Sequence, residues 1–307
     1  MFGRAAFAIA CVVAMFDAYA QEPPPPPAVS STVVRVSELV GNVTDYVVSR
    51  GDTVRSIGAR FGVDTAILAR ENGMQVGSKL AIGQILRIDS RHIVPTALDS
   101  AELVVNIPQR MVFHRSPDGS TVGYPIAVGR PTWPTRTGTF TVKVLERHPT
   151  WEVPRSIIEE SRRAGRVQPS VVPPGPKNPL GDYWIGLSIP GIGIHATNAP
   201  ASIFRAVSHG CIRVHPDDIA QLFGRVQVGA SGQIIYEPVL LADVNGSVYL
   251  EVHRDVYRRS AGTASEAARI LAASAGVSQR IDWAAADLVA AAADGIARNV
   301  TASLPSH

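Results

Sequence analysis

Cys211 stands in the run Ser208-His209-Gly210-Cys211-Ile212-Arg213, with His195 upstream of it. A thiol and an imidazole are the groups that nucleophilic acyl transfer needs. The thiolate is the attacking form, and a free cysteine is mostly protonated at neutral pH, so it needs a base or a positive neighbour. An imidazole that takes the thiol proton can later return it to a leaving amine. The imidazole must itself be oriented through its second nitrogen. No carboxylate is obviously placed for this, which leaves a backbone carbonyl near Ala196. Gly210 permits a tight turn and leaves backbone N–H groups to hold an oxyanion. Arg213 can fix a substrate carboxylate or brace the loop.

The meaning of this thiol depends on its compartment. The chain has 307 residues and two cysteines. The other cysteine, Cys11, lies in an N-terminal segment with the form of an export signal. Arg4 supplies a positive charge, residues 5–15 are apolar, and Ala18-Tyr19-Ala20 offers small residues around a cleavage site. The apolar run is shorter than the roughly 20 residues that span a bilayer. We therefore expect residues 1–20 to be removed, leaving Gln21 first, and the mature chain to be exported with one thiol. Oxidising compartments use cysteines in pairs. An unpaired one is an inert buried residue, an intermolecular link or a reactive thiol.

Composition narrows the function classes. Apolar residues make up 46% and charged residues 18%, which supports a folded core. A net charge of +3 with no basic stripe gives no reason to expect a nucleic-acid partner, but is compatible with an acidic polymer such as cell wall.

Residues 21–42 form a linker that opens with Pro23-Pro24-Pro25-Pro26-Pro27, a stiff solvated spacer. Residues 43–90 read as a compact unit of strand, helix, helix, strand. Tyr46-Val47-Val48 begins it. Asp52 or Thr53 caps a helix over 54–61 that Gly62 ends, and Asp64 or Thr65 caps a second over 66–72 that Gly73 ends. Residues 80–88 supply the closing strand. This unit resembles a LysM domain, through YVVSRGDTVRSIGARFGV, ILARENG and GQILRI. The resemblance implies binding of N-acetylglucosamine-containing glycans such as peptidoglycan, in a groove near Gly51, Asp52, Thr53, Asn72 and Gly73.

From Leu103 the texture is β-rich. Alternation over 102–107 and 109–114, a turn at Pro117-Asp118-Gly119, and runs at 122–128 and 139–145 predict strands of a sandwich or barrel. Residues 153–163 have helical character, and the Pro- and Gly-rich stretch 168–182 reads as a loop or lid. Strands over 183–188 and 193–195 deliver the site, and a helix over 217–223 follows it. Tyr183 and Trp184 are assigned to the core or the groove. Residues 232–236 and 247–252 are expected to close the sheet. The Ala-rich residues 256–307 predict two helices, 264–275 and 282–302, with Ile270, Leu271, Trp283, Leu288, Val289 and Ile296 docking on it.

The catalytic region resembles the L,D-transpeptidase (YkuD-type) family. His195-Ala196-Thr197 followed by Ser208-His209-Gly210-Cys211-Ile212-Arg213 carries the resemblance. Residues 134–140 (PTRTGTF) and 177–181 (KNPLG) extend it, so that it spans about 103–252. With an export signal and a LysM unit in front, the layout is similar to the periplasmic, LysM-bearing (ErfK/YbiS-like) branch. The implied fold is a mainly β catalytic domain (101–255), preceded by a small βααβ LysM domain and followed by an Ala-rich helical tail. The implied activity is cofactor-free acyl transfer from peptidoglycan stem tetrapeptides. The resemblance implies that Cys211 is nucleophile and His195 general base and acid, that Ser208, His209 and Gly210 shape the pocket and oxyanion site, and that Arg213, Ala196 and Thr197 support substrate binding. The acceptor is an amine of another stem, an outer-membrane protein or a D-amino acid, or else water. Carbapenems are expected to acylate Cys211. The sequence departs from the family pattern at Ala196, where Gly is usual, and at Arg136, where Pro is usual. His215 and His253 read as structural. Two rivals are weighed: a non-catalytic wall-binding tether, and a zinc peptidase using His195, His209, Cys211 and His215. The zinc peptidase lacks the ligand spacings such enzymes show.

Overall fold

A computed structural model describes residues 38–303. The expected leader, Cys11 and the polyproline run lie outside the described residues. Among the described residues no helix is long and apolar enough to cross a membrane.

The first unit is a two-stranded antiparallel sheet, Val43–Val47 against Ile85–Asp89, with two helices on it. Local chemistry sets its helix ends. Thr53 and Ser56 form a reciprocal capping box at the start of Val54–Phe61, and Gly62 ends that helix at φ 70°. Asp64 accepts from the Ala66 amide and caps Thr65–Glu71. Val54, Ile57, Leu68, Leu86 and Ile88 fill the space between sheet and helices. The closing strand starts later than the sequence predicts. Residues 80–84 form a turn instead, with Gly83 at φ 86° and its amide on the Val48 carbonyl.

The catalytic region is a nine-stranded sheet that closes on itself. Thr121–Gly129 pairs with Met111–Arg115 on one side and with Ile212–Val214 on the other. From there the order runs through Gly193–His195, Tyr183–Leu187, Gly138–Arg147, Ser231–Ile235 and Leu103–Asn106, back to Met111–Arg115. The short strand Ala206–Ser208 attaches outside this ring, beside Thr121–Gly129. Closure removes the exposed edges of the sheet. Leu103, Val105, Ile126, Ile194 and Ile212 point inward and form the core with the helix Pro216–Arg225. Val104, on the opposite face, is covered by Leu98, Met111 and Phe113. The strand predicted from alternation over 102–107 forms, but Leu103–Asn106 is buried on both faces rather than on one.

The C-terminal region differs from expectation. Ser247–Val252 is a strand, but it pairs with Val239–Val244 and with Arg298–Asn299 in a separate three-stranded sheet. The helix Ala264–Ser274 forms as predicted. The second is only Trp283–Ala292, because Ala293 turns left-handed at φ 43° and the chain returns as a strand. Ile270, Leu271 and Leu288 face solvent; the helices bury Ala268, Ala272, Ala286 and Ala290 instead. Small side chains let the helices lie close to the sheet. Ile296 joins the core of the first unit rather than that of the tail.

Candidate active site

The strand Gly193–His195 runs parallel to Ile212–Val214, with Ile194 opposite Ile212 and His195 opposite Arg213. Ile194 and Ile212 face the barrel core. Side chains alternate along a strand, so His195 and Arg213 share the outer face, and Cys211, two residues before Arg213, falls on that face too. Trp184, opposite His195 on the next strand, stacks on the imidazole with ring centroids 5.8 Å apart. Its ring also fills the space above Gly193, where a Cβ would lie 2.2 Å from it. Gly193 is thus required by close packing.

His195 is buried, and its Nδ1 lies 2.6 Å from the Ala196 carbonyl. A carbonyl only accepts, so Nδ1 carries the proton and Nε2 is the basic nitrogen. The residue that departs from the family pattern therefore supplies its backbone. Ala196 is absent from the left-handed backbone positions, so its methyl group introduces no strain. Gly181, at φ 64°, makes room for that methyl, since a Cβ at 181 would lie 2.5 Å from it.

Electrostatics make the pair neutral. Burial pulls His195 down to about 3, with the nearby Arg213 charge adding to the effect. Burial raises the Cys211 thiol above its ordinary value, against opposing effects of a Gly193 backbone contact and Arg213. Cys211 is partly exposed and free. Its Sγ donates to the Gly191 carbonyl at 3.5 Å, and no Cys211–His195 hydrogen bond forms among the described residues. With both partners neutral there is no ionic attraction to draw them together, and the weak S–H donor takes a nearby carbonyl. Arg213 is itself mostly buried, and burial lowers its basicity. Among the described residues no carboxylate lies within salt-bridge distance of it.

The turn before Cys211 is braced on all sides. The Gly210 amide donates to Ser208 Oγ at 3.1 Å, and Ser208 Oγ donates to the Cys211 carbonyl. Gly210, at φ 107°, makes the tight turn the sequence suggested, and its own amide is taken by Ser208. Thr135 Oγ1 donates to the Gly210 carbonyl and accepts from the Gly129 amide, both at 2.8 Å. Tyr257 Oη donates to the Gly129 carbonyl at 2.6 Å and accepts from the Thr135 amide. His209 points away from the thiol. Its Nε2 meets Glu160 Oε2 at 2.6 Å, Arg130 joins both, and Trp133 packs edge-on at 5.0 Å. Hydrogen bonds from His209 and Arg130 hold the Glu160 carboxyl below its usual range.

Glu160 lies on the helix Arg155–Arg163, within an excursion of the chain between two paired barrel strands. The sequence predicts the helix over 153–163, and the later part of the excursion, residues 168–182, is the stretch predicted as a loop or lid. Asn178, buried, holds its return by donating to the Pro149 carbonyl and accepting from the Leu180 amide. A cavity of about 440 Å³ lies under it, walled by Pro176, Asn178, Tyr183, Ala196, Thr197 and Asn198. Sequence reasoning missed Thr135, Tyr257, Arg130 and Glu160. Thr135 and Asn178 sit inside the two family-like segments, which was the available signal.

The zinc alternative does not assemble. His209 is held by Glu160, and His215 Nδ1 accepts from the Asp217 amide at the start of Pro216–Arg225. The one His, Cys, Asp and Glu group close enough to ligate a metal among the described residues is His92, Glu251 and His253, elsewhere in the chain. In the first unit, Asp52 accepts from Tyr46 Oη and the Ser49 amide, Thr53 caps its helix, and Asn72 bonds the Leu68 and Arg87 backbones. Gly51 and Gly73 open directly to solvent.

Comparison with known proteins gives this geometry its context. Residues 100–240 match the L,D-transpeptidase catalytic domain (YkuD), and residues 46–89 match the LysM domain. A probable L,D-transpeptidase of Salmonella typhimurium, ErfK/SrfK, is 33% identical over 238 residues, covering 73% of this chain and 74% of its own. This chain belongs to the L,D-transpeptidase family. That family is one of acyltransferases. A probable L,D-transpeptidase of Escherichia coli K12, also ErfK/SrfK, is 37% identical over 184 residues, 58% of each chain. The match thus spans less than two thirds of that relative's length. Among solved structures, L,D-transpeptidase 3 from Mycobacterium tuberculosis overlaps 51% of this chain and 76% of its own, at 17% identity and a TM-score of 0.34.

Proposed function

We propose that this family member is an exported cysteine acyltransferase acting on peptidoglycan stem tetrapeptides in the periplasm. The observation that carries the reading is, among the described residues, a lone thiol on the same sheet face as a neutral, carbonyl-oriented imidazole and a guanidinium with no carboxylate partner. Cys211 Sγ attacks the amide carbonyl that joins the L-centre of the diaminopimelate to the terminal D-alanine. Its proton passes to His195 Nε2 as the C–S bond forms. The Gly210 amide is engaged by Ser208, so the Cys211 amide holds the oxyanion. The C–N bond breaks, and His195 returns the proton to the departing D-alanine amine. The thioester is then attacked by an acceptor amine, which yields its proton to His195 and releases the thiol. An amine of a second stem gives a 3→3 cross-link, and a lysine of an outer-membrane protein gives an anchored protein. Arg213 holds a stem carboxylate, and the cavity beside Ala196 and Thr197 takes the donor stem. The LysM unit keeps the chain on glycan strands.

The test is the intact mass of the chain from Gln21 after exposure to a carbapenem, beside Cys211→Ala, with D-alanine release from tetrapeptide muropeptides assayed in parallel. One drug adduct and D-alanine release, both absent in Cys211→Ala, are expected. Wall binding with neither reaction in the parent chain would reduce the protein to a tether.

A further inference from the structure

A second cavity, of about 310 Å³, opens at the seam between the LysM helices and the barrel, away from the lid. The helix Val54–Phe61 and the turn to Thr65–Glu71 form one wall, through Arg55, Ala59 and Val63. Arg110, Ile203, Phe204 and Arg205 form the other. The polar lining is unbalanced. Arg55, Arg110 and Arg205 face a single carboxylate, Asp64, whose side chain is engaged by the Ala66 amide at 2.9 Å. Among the described residues none of the three guanidinium groups has a salt-bridge partner within 4 Å. Isolated charges in a protein wall are normally paired, because an unpaired one loses hydration without compensation.

Arg110 is the most constrained of them. One Nη donates to the Phe204 carbonyl at 2.9 Å, and the guanidinium stacks on the Phe204 ring at 4.0 Å. Its Nε is buried without any hydrogen-bond partner. Stacking fixes the plane of the fork and leaves N–H groups in that plane for a bidentate acceptor. Both residues of the stack are left-handed, Arg110 at φ 57° and Phe204 at φ 61°, a conformation rare for bulky side chains. Burial also lowers the basicity of Arg110 to about 10, with the charge of Arg254 adding to the effect and Asp64 offsetting only part of it. From Phe204 the chain runs through the strand Ala206–Ser208 into the braced turn and Cys211.

We infer that this seam is a second substrate subsite, in which Arg110, with Arg55 and Arg205 at the rim, binds a carboxylate on an aliphatic peptide segment of the peptidoglycan stem. The reading rests on the acyltransferase assignment for the identity of the peptide. The apolar surfaces of Ala59, Val63 and Ile203 suit an aliphatic segment, and the cavity is at the small end of ligand pockets. A wall peptide seated there bridges the glycan-binding unit and the catalytic barrel.

The experiment uses the full chain from Gln21, acylated at Cys211 by a carbapenem so that the catalytic cleft is occupied. The tripeptide L-alanyl-γ-D-glutamyl-meso-diaminopimelate is titrated into it calorimetrically, beside its carboxamide analogue and inorganic phosphate. One equivalent of tripeptide is expected to bind, at least tenfold tighter than the carboxamide. Arg110→Met and the rim pair Arg55→Gln with Arg205→Gln are each expected to weaken it at least tenfold while taking up the drug at the parent rate. The rim pair lies at the exposed edge, so it keeps the test sound if Arg110→Met does not fold. Unchanged affinity in the rim pair, no binding to the blocked chain, or binding of phosphate alone would overturn the assignment. A parent chain that takes no drug adduct counts against the acyltransferase reading instead, and the titration is then run on the unblocked chain.

Discussion

Two buried histidine clusters in this chain obey opposite electrostatics. At the candidate active site, His195 meets backbone carbonyls, that of Ala196 at 2.6 Å and more weakly that of Leu180, and among the described residues no carboxylate. At the junction of the linker, the barrel and the C-terminal sheet, His92 and His253 share Glu251 Oε1 at 2.8 and 2.7 Å. Gln109 and the Ile93 amide also donate to that carboxylate. His92 has an acceptor at each ring nitrogen, because Nε2 meets the Gly62 carbonyl at 3.0 Å. Both of its ring nitrogens are therefore engaged, one by the Glu251 carboxylate and one by a backbone carbonyl. His253 has an unpartnered Nδ1 and is neutral. Burial pushes Glu251 up, but the charge of His92 and hydrogen bonds from both histidines outweigh it and hold the group down to about 2. The acceptors around each ring decide what the imidazole does. A buried carboxylate ties two histidines into a structural cluster, and its omission at His195 leaves a base.

The largest effect expected from breaking this contrast is on stability. Glu251→Ala removes the buried carboxylate that His92, His253, Gln109 and the Ile93 amide share and leaves those groups without their acceptor, a loss of about 3–5 kcal/mol. For a chain of this size that is a fall in Tm on the order of 10 °C. Carbapenem acylation of Cys211 in the folded variant at low temperature is expected to stay near the parent rate, because Glu251 touches neither Cys211 nor His195. Thermal unfolding and drug uptake on the same sample check both halves. A Tm within about 2 °C of the parent would show that the junction tolerates loss of the shared carboxylate, and the contrast would fail.

Proton linkage separates the two clusters by pH. His195 titrates lower in the fold than in the unfolded chain, near 6.5, so its contribution is complete above that pH. It is lost as pH falls from about 6.5 toward 3, because only the unfolded state takes up the proton. Glu251 is also depressed, so its contribution is lost in a lower window, as pH falls from its ordinary 4.5 toward about 2. His195→Gln is therefore expected to remove roughly 1–3 kcal/mol of the stability lost between pH 6.5 and 4.5. The catalytic counterpart is a rate of drug acylation that does not fall through pH 6.5, since the imidazole stays neutral well below it. Urea unfolding and stopped-flow acylation across that range measure the two. A protonation limb centred near 6.5 in the acylation rate would mean that His195 is as hydrated as an ordinary histidine.

The two clusters also differ in how far the sequence exposed them. Cys211, Ser208 and Gly210 are neighbours in the chain, and His195 is one short excursion away, so a motif collects them. The LysM helices were legible because their caps, Thr53, Asp64 and Gly62, act on residues a few positions away. The Glu251 junction joins residues about 160 positions apart, and such contacts leave no local period. The same holds for Glu160 with His209 and for Thr135 with Gly210. In the tail, helix propensity overextends the second helix, because Gly295 and the left-handed Ala293 end it and the chain returns to a sheet edge. Apolar size also misled there: the larger residues Leu288 and Ile270 are exposed while alanines are buried.

The smallest effect sharpens the contrast at the active site itself. Thr135 carries no charge, yet its hydroxyl ties the Gly129 amide to the Gly210 carbonyl. Thr135→Val keeps the shape and removes both bonds, leaving two buried backbone groups unsatisfied at about 1–3 kcal/mol. Part of that loss relaxes the turn rather than the barrel, because Gly210 immediately precedes the nucleophile. We expect drug acylation of Cys211 to slow by about tenfold, equivalent to about 1.4 kcal/mol, with Tm lowered by a few degrees. Thr135→Ser retains the hydroxyl, and its rate is expected to return to within about twofold of the parent if the bond, rather than the methyl, sets the turn. A Thr135→Val chain that acylates at the parent rate would show that Ser208, through the Gly210 amide and the Cys211 carbonyl, holds the nucleophile alone.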